Sequence, residues 1–188
     1  MKFYVIRHGQ TNWNKKGKKQ GKTDIELNEE GIKQAKEARD ILVDYPIDII
    51  VSSPLKRARR TAEIINEKKS VPIILDKALE ERGYGIFEGK TKEEISQDKI
   101  LCTEILDNYK INKQYKDIET IQSLCDRIWT LLDNLKREYI NKNILLVTHG
   151  GVTGAINGYF NGANDRGILE DLNLDNCEIR TFEIEGKQ

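Results

Sequence analysis

The chain has 188 residues, 38% of them hydrophobic and 33% charged, enough for one sizeable core and short for two. Its 31 basic and 31 acidic residues cancel, so no global field draws in nucleic acid or an anionic membrane, and any anion site must be built from local charge. Apolar runs recur along the length and exclude a disordered chain. None is long enough to span a bilayer, and Phe3 to Ile6 is too short for the apolar region of a signal peptide.

These features lead to the expectation of a single cytoplasmic domain over residues 1–188, without nucleic-acid or membrane partners. Cys102, Cys125 and Cys177 are odd in number and share no metal-type spacing, so free thiols are expected rather than a disulfide framework or a zinc site.

In chain order, KFYVI at 2–6 reads as a short buried strand that runs into Arg7, His8 and Gly9. NEEGIKQAKEARDIL follows as a helix. Asn28 is its N-cap, two acids occupy the first turn, Leu27 and Ile32 form a hydrophobic staple, and Pro46 is the stop. IDIIVS at 47–52 is a second strand. Ser53 and Pro54 then read as the cap and first residue of a helix with Arg57 in its first turn and Ala58, Ala62 and Ile65 on its buried stripe.

VPIIL at 71–75 is a weaker third strand. Residues 88–118, including Tyr109 and Tyr115, are polar and irregular and read as a partly helical excursion or lid. A helix over 120–139 sets Ile121, Leu124, Cys125, Ile128, Leu132 and Leu135 on one face. NILLVT at 143–148 is a strong fourth strand. CEIRTFEIE at 177–185 alternates apolar and polar residues, as a strand near a sheet edge does. Such alternation of strands and helices is the pattern of an α/β layer fold around a mainly parallel sheet.

His8 and His149 are the only histidines, and each follows a strand and precedes a glycine, in VIRHG and LVTHGG. If both strands are parallel members of one sheet, the two rings meet at its carboxyl edge, where α/β proteins bind ligands. The helix bearing Arg57 starts on that edge too. Taken singly, a strand-end histidine is usually a satisfied polar group, and Arg7 could cap carbonyls or pair with a carboxylate. Taken together, Arg7, Arg57, His8 and His149 describe one cationic pocket; two histidines without a third ligand argue only weakly for a metal.

RHGQTNWN at 7–14, SSPLKRARRTA at 52–62, LEERGYGIFEG at 79–89 and THGGV at 148–152 resemble, in order, the four signature blocks of the histidine phosphatase superfamily, also called phosphoglycerate mutase-like. The resemblance implies a three-layer α/β/α sandwich and a cofactor-free, metal-free enzyme acting on a small phosphate ester. It makes His8 the nucleophile, to become a phosphohistidine. Arg7, Arg57, Asn14, His149 and Gly150 would hold the phosphoryl group, and Glu81 would be the proton donor. The residues alone leave Glu80 and Glu81 open; the motif selects Glu81.

Within the family, Gln10, Gln20-Gly21, Gly151, the ending LDNCEIRTFEI and the lack of paired arginines after Gly89 resemble the phosphatase branch, while Tyr84 occurs in mutases too. Gln20, Gly21 and Tyr84 are candidate substrate contacts. The expected activity is a phosphomonoesterase. The alternatives are a phosphoglycerate mutase or a catalytically silent phosphate-binding protein, and a homo-oligomer is compatible with the alternating edge strand. The five lysines of KKGKKQGK at 15–22 could attract anionic molecules but read first as a solvated loop.

Overall fold

The described residues hold five strands: β1 (Lys2–Arg7), β2 (Ile49–Ser52), β3 (Ile73–Leu75), β4 (Ile144–Thr148) and β5 (Ile179–Glu183). The computed structural model describes residues 1–96, 117–162 and 174–184. The strands lie in the order β3-β2-β4-β1-β5. The pairs β1·β4, β2·β4 and β2·β3 are parallel and β1·β5 is antiparallel. The sheet is therefore mainly parallel, with the alternating segment at one edge as expected.

Period-two alternation sorts the sheet's side chains into two layers. Phe3, Val5, Ile49, Val51, Ile144 and Leu146 face one side, packed with α5 (Ile121–Glu138) and α6 (Gly150–Asn161). Tyr4, Ile6, Ile50, Leu145 and Val147 face the other, packed with α2 (Glu29–Leu42) and α3 (Lys56–Asn66). Because β1, β2 and β4 are covered on both faces, their runs read as continuous apolar segments. This is the three-layer sandwich that the family resemblance implies. Two short helices, α1 (Asn12–Lys15) and α4 (Lys92–Ser96), lie on the connections.

Several local rules hold where they were read. The Asn28 side chain accepts from Gly31 N at 2.8 Å and caps α2, which ends at Leu42 with Pro46 just beyond. Thr120 caps α5, whose buried face includes Leu124, Cys125, Ile128, Leu132 and Leu135. Boundaries shift for physical reasons. β3 starts after Pro72, which has no N–H to give the ladder, and β5 starts after Cys177, which has a positive φ of 61°.

One expectation is corrected: Ser53-Pro54 does not open α3. The helix begins at Lys56 with Leu55 in the capping position and no side-chain cap. Ser53 stays in the extended backbone leaving the sheet, its N–H donating to Val147 O at 3.0 Å. Of the expected lid at 88–118, residues 97–116, with Cys102, Tyr109 and Tyr115, lie outside the described residues.

Candidate active site

Sheet register decides what meets at the carboxyl edge. Arg7 pairs with Thr148 and Ser52 with Val147, so three chains leave the sheet side by side. His8 N donates to Thr148 O at 2.9 Å. One residue past the Arg7–Thr148 pair, the rings of His8 and His149 lie with centroids 5.1 Å apart. Both side chains are buried.

The hydrogen-bond network assigns the protons. His8 Nδ1 lies 2.7 Å from Gly9 O; a carbonyl only accepts, so Nδ1 carries the proton and Nε2 keeps its lone pair. His149 Nε2 lies 2.8 Å from Ser53 Oγ, and its Nδ1 is buried with no partner among the described residues. Burial chiefly, then the charges of Arg57 and Arg7, hold His8 well below the usual imidazole range against the opposing Gly9 hydrogen bond. Burial and Arg57 do the same to His149, with smaller contributions from His8, Arg127 and Arg7. Both rings are therefore neutral at neutral pH.

Arg57 is fully buried in the first turn of α3. Its Nη1 donates to Thr23 O at 2.9 Å and its Nη2 to Gly21 O at 2.8 Å. Burial pushes its pKa down, but from so high a value that it stays charged. Arg7 Nη1 donates to Leu174 O at 2.7 Å. The Nε of each arginine is buried without a partner among the described residues, as is His149 Nδ1. An unsatisfied buried polar group costs about 1–3 kcal/mol, so three beside one pair of rings form a cradle for an anion rather than a finished core.

Glu81, not Glu80, is the glutamate buried here. Its Oε1 accepts from Arg82 N at 2.9 Å and its Oε2 from Gly151 N at 3.3 Å. A Cβ on Gly151 would sit 2.6 Å from Glu81 Oε1, so a larger residue there would shift that carboxylate. Gly150 opens α6, and a Cβ placed on it would lie 3.6 Å from Arg7 Cζ.

The other expected contacts are bound into the surrounding loop. Asn14 Oδ1 accepts from Thr11 N at 3.0 Å, closing a capping box on α1, which leaves the amide NH2 as its donor. Gln20 is buried, and its Oε1 accepts from Thr11 Oγ1 at 3.0 Å; it holds the loop together. Gly21 acts through its carbonyl on Arg57. Gln10 Oε1 accepts from Asn28 Nδ2 at 2.9 Å and ties the loop to α2. The Tyr84 ring lies under Lys19 Nζ, 4.8 Å from the centroid. Among the loop lysines, Lys15, Lys16, Lys19 and Lys22 are exposed.

Three residues escaped the sequence reading. Thr61 accepts from Gly9 N at 3.1 Å and donates to Arg57 O at 2.8 Å, joining the loop after His8 to α3; its spacing of four from Arg57 was the available signal. Glu88 accepts from Lys22 N, Thr23 N and Tyr84 N at 3.0–3.1 Å, and from Thr23 Oγ1. It thus clamps the carbonyls that hold Arg57. Gly21, at φ 54°, makes room for that clamp, since a Cβ would fall 2.0 Å from Glu88 Oε1. Ser53 gave only a misleading cap signal.

Cys125 and Cys177 are free thiols, each pushed up to about 12 by burial. Among the described residues no group of three His, Cys, Asp or Glu side chains is gathered as for a metal, and no helix is long and apolar enough to cross a membrane.

Known proteins resemble this chain in sequence and fold. An uncharacterized phosphatase of Bacillus subtilis, PhoE, is 41% identical over 96% of this chain and 86% of its own length. The solved structure of YhfR from Bacillus stearothermophilus superposes with a TM-score of 0.85 at 26% identity, covering 98% of this chain and 92% of that one. A phosphoserine phosphatase from Entamoeba histolytica, solved in complex with 3-phosphoglyceric acid, gives 0.80 at 33% identity over 97% of this chain and 90% of its own. The model of the histidine phosphatase superfamily (branch 1) matches residues 3–188. This chain belongs to the histidine phosphatase superfamily and is a phosphatase on the phosphoglycerate mutase-like fold.

Proposed function

We propose that the chain hydrolyses small phosphorylated metabolites by passing the phosphoryl group through His8 to water. The observation that carries this reading is the His8 Nδ1 to Gly9 O hydrogen bond at 2.7 Å. It leaves a bare Nε2 beside two arginines and a second imidazole, and an unprotonated ring nitrogen is a competent nucleophile.

In the first step His8 Nε2 forms a bond to phosphorus as the ester P–O bond breaks, and the departing alkoxide takes the proton of the Glu81 carboxyl. In the second, water attacks the phosphohistidine and gives a proton to the Glu81 carboxylate. Phosphate leaves with both groups restored. Charge on the equatorial oxygens is met by Arg7 and Arg57, whose planar forks suit phosphate, and by His149 Nδ1–H. Asn14 and the Gly150 N–H are the supporting donors. The cationic side chains supply the charge compensation, and the scheme calls for no metal.

Release to water rather than return to a sugar acid is supported by the name of the B. subtilis relative and by the resemblance of Gln10 and Gly151 to the phosphatase branch. One assay separates the readings. Purified protein with a broad panel of phosphate esters, in EDTA, is expected to release inorganic phosphate. Isomerisation of phosphoglycerate without net release would replace hydrolysis by a mutase, and neither activity would leave a phosphate-binding protein. Activity abolished by EDTA and restored by added metal would overturn the mechanism.

A further inference from the structure

We propose that Ser53 is a positioning residue of this site: its hydroxyl donates to His149 Nε2 and holds that ring as the tautomer with its proton on Nδ1. Ser53 Oγ and His149 Nε2 lie 2.8 Å apart, and both residues are fully buried. Ser53 Oγ accepts from Leu55 N at 3.3 Å, and among the described residues the ring nitrogen is the one acceptor within reach of its own proton. A neutral imidazole carries one proton; with Nε2 accepting, that proton sits on Nδ1, the nitrogen that has no partner among the described residues.

The alternative tautomer would turn Nε2–H toward Ser53 and present a lone pair from Nδ1 to a phosphoryl oxygen, replacing an attraction by a repulsion. Ser53 is itself well held. Its N–H donates to Val147 O at 3.0 Å, and its carbonyl accepts from Ser52 Oγ at 3.0 Å. A rigid hydroxyl at the sheet edge thus makes His149 a donor that needs no positive charge beside Arg7 and Arg57.

The proposed phosphatase chemistry is the setting for this inference, but its test needs no substrate. With only two histidines in the chain, ring-15N-histidine labelling gives two ring spin systems, separated with the His8→Asn variant. At neutral pH the wild-type spectrum is expected to show His149 Nδ1 in the protonated range and Nε2 in the unprotonated range. Ser53→Ala should move proton density to Nε2 and lower kcat/KM about ten-fold, as for one lost hydrogen bond. Ser53→Thr, which keeps the hydroxyl, should restore the wild-type tautomer.

A His149 proton on Nε2 in the wild type, or a Ser53→Ala spectrum unchanged from it, overturns the assignment. Should Ser53→Thr not fit its closed site, the wild-type spectrum and Ser53→Ala still decide. A protein inactive on every ester with the expected tautomers would sink the phosphatase reading and leave the assignment of Ser53 standing.

Discussion

The ends of β1 and β4 are near twins in sequence, VIRHG and LVTHGG, yet they hold their imidazoles by different means. His8 is oriented locally, by the carbonyl of the very next residue. His149 is held by Ser53, 96 positions away in the chain. The Gly9 carbonyl puts the proton of His8 on Nδ1, and the tautomer proposed for His149 has it there too, but the site uses opposite nitrogens. His8 offers the bare Nε2, suited to attack, and His149 offers Nδ1–H, suited to bind. One motif thus serves two roles, divided by what touches the other side of each ring.

Replacing each histidine in turn tests that division. His8→Asn removes the nucleophile and is expected to lower kcat by about 10⁴-fold or more. His149→Asn removes one donor to the transferring group and should cost about 10²–10³-fold. An alkaline quench, in which a phosphohistidine survives, should trap a phosphoenzyme from a radiolabelled ester with His149→Asn and none with His8→Asn. Equal losses, or a phosphoenzyme that survives His8→Asn, would erase the distinction.

What could be read from the sequence follows the same local and non-local line. The cap at Asn28, the buried face of α5 and the edge position of β5 rest on signals within a few residues, and they appear in the fold. The convergence of His8, His149 and Arg57 was also readable, because parallel strands must leave a sheet on one edge. Ser53 was misread since Ser-Pro is a strong cap signal, and only a partner from β4 gives its hydroxyl another use. Gln20 and Gly21, candidate substrate contacts by the motif, also build the loop that carries Arg57, which only the folded contacts disclose. Glu88 stood inside a recognised block, but its partners lie 65 and 66 residues upstream as well as nearby.

Glu88 offers a second, smaller test of action at a distance. It grips the loop whose carbonyls hold Arg57, the arginine that both histidines sense. Glu88→Gln replaces one acceptor oxygen by an amide nitrogen, which cannot satisfy the donors it meets. Arg57 should lose its fixed placement, and the inhibition constant for inorganic phosphate should rise about ten-fold while phosphoenzyme still forms. Unchanged phosphate affinity would show that Arg57 keeps its place without the clamp.

The smallest expected effect is on stability and pH, and it sharpens the contrast between the rings. Both histidines are held below the ordinary value near 6.5, so as pH falls through that value the unfolded chain takes up protons that the native site refuses. Stability should therefore decline toward acid, by about 1 kcal/mol or a little more per pH unit for each ring, until that ring titrates in the folded state. Carboxylates do not confuse the window between about pH 6.5 and 5: Asp40, lowered to about 2 by hydrogen bonds from Arg39 and Lys68, gives up its contribution only in more acid solution. The Gly9 carbonyl opposes the depression of His8, whereas burial and the surrounding charges all lower His149. Urea melts in phosphate-free buffer at successive pH values should show the slope in the wild type. His149→Asn and His8→Asn should each flatten it. A wild-type slope that survives both replacements would mean that neither ring is held neutral by the fold.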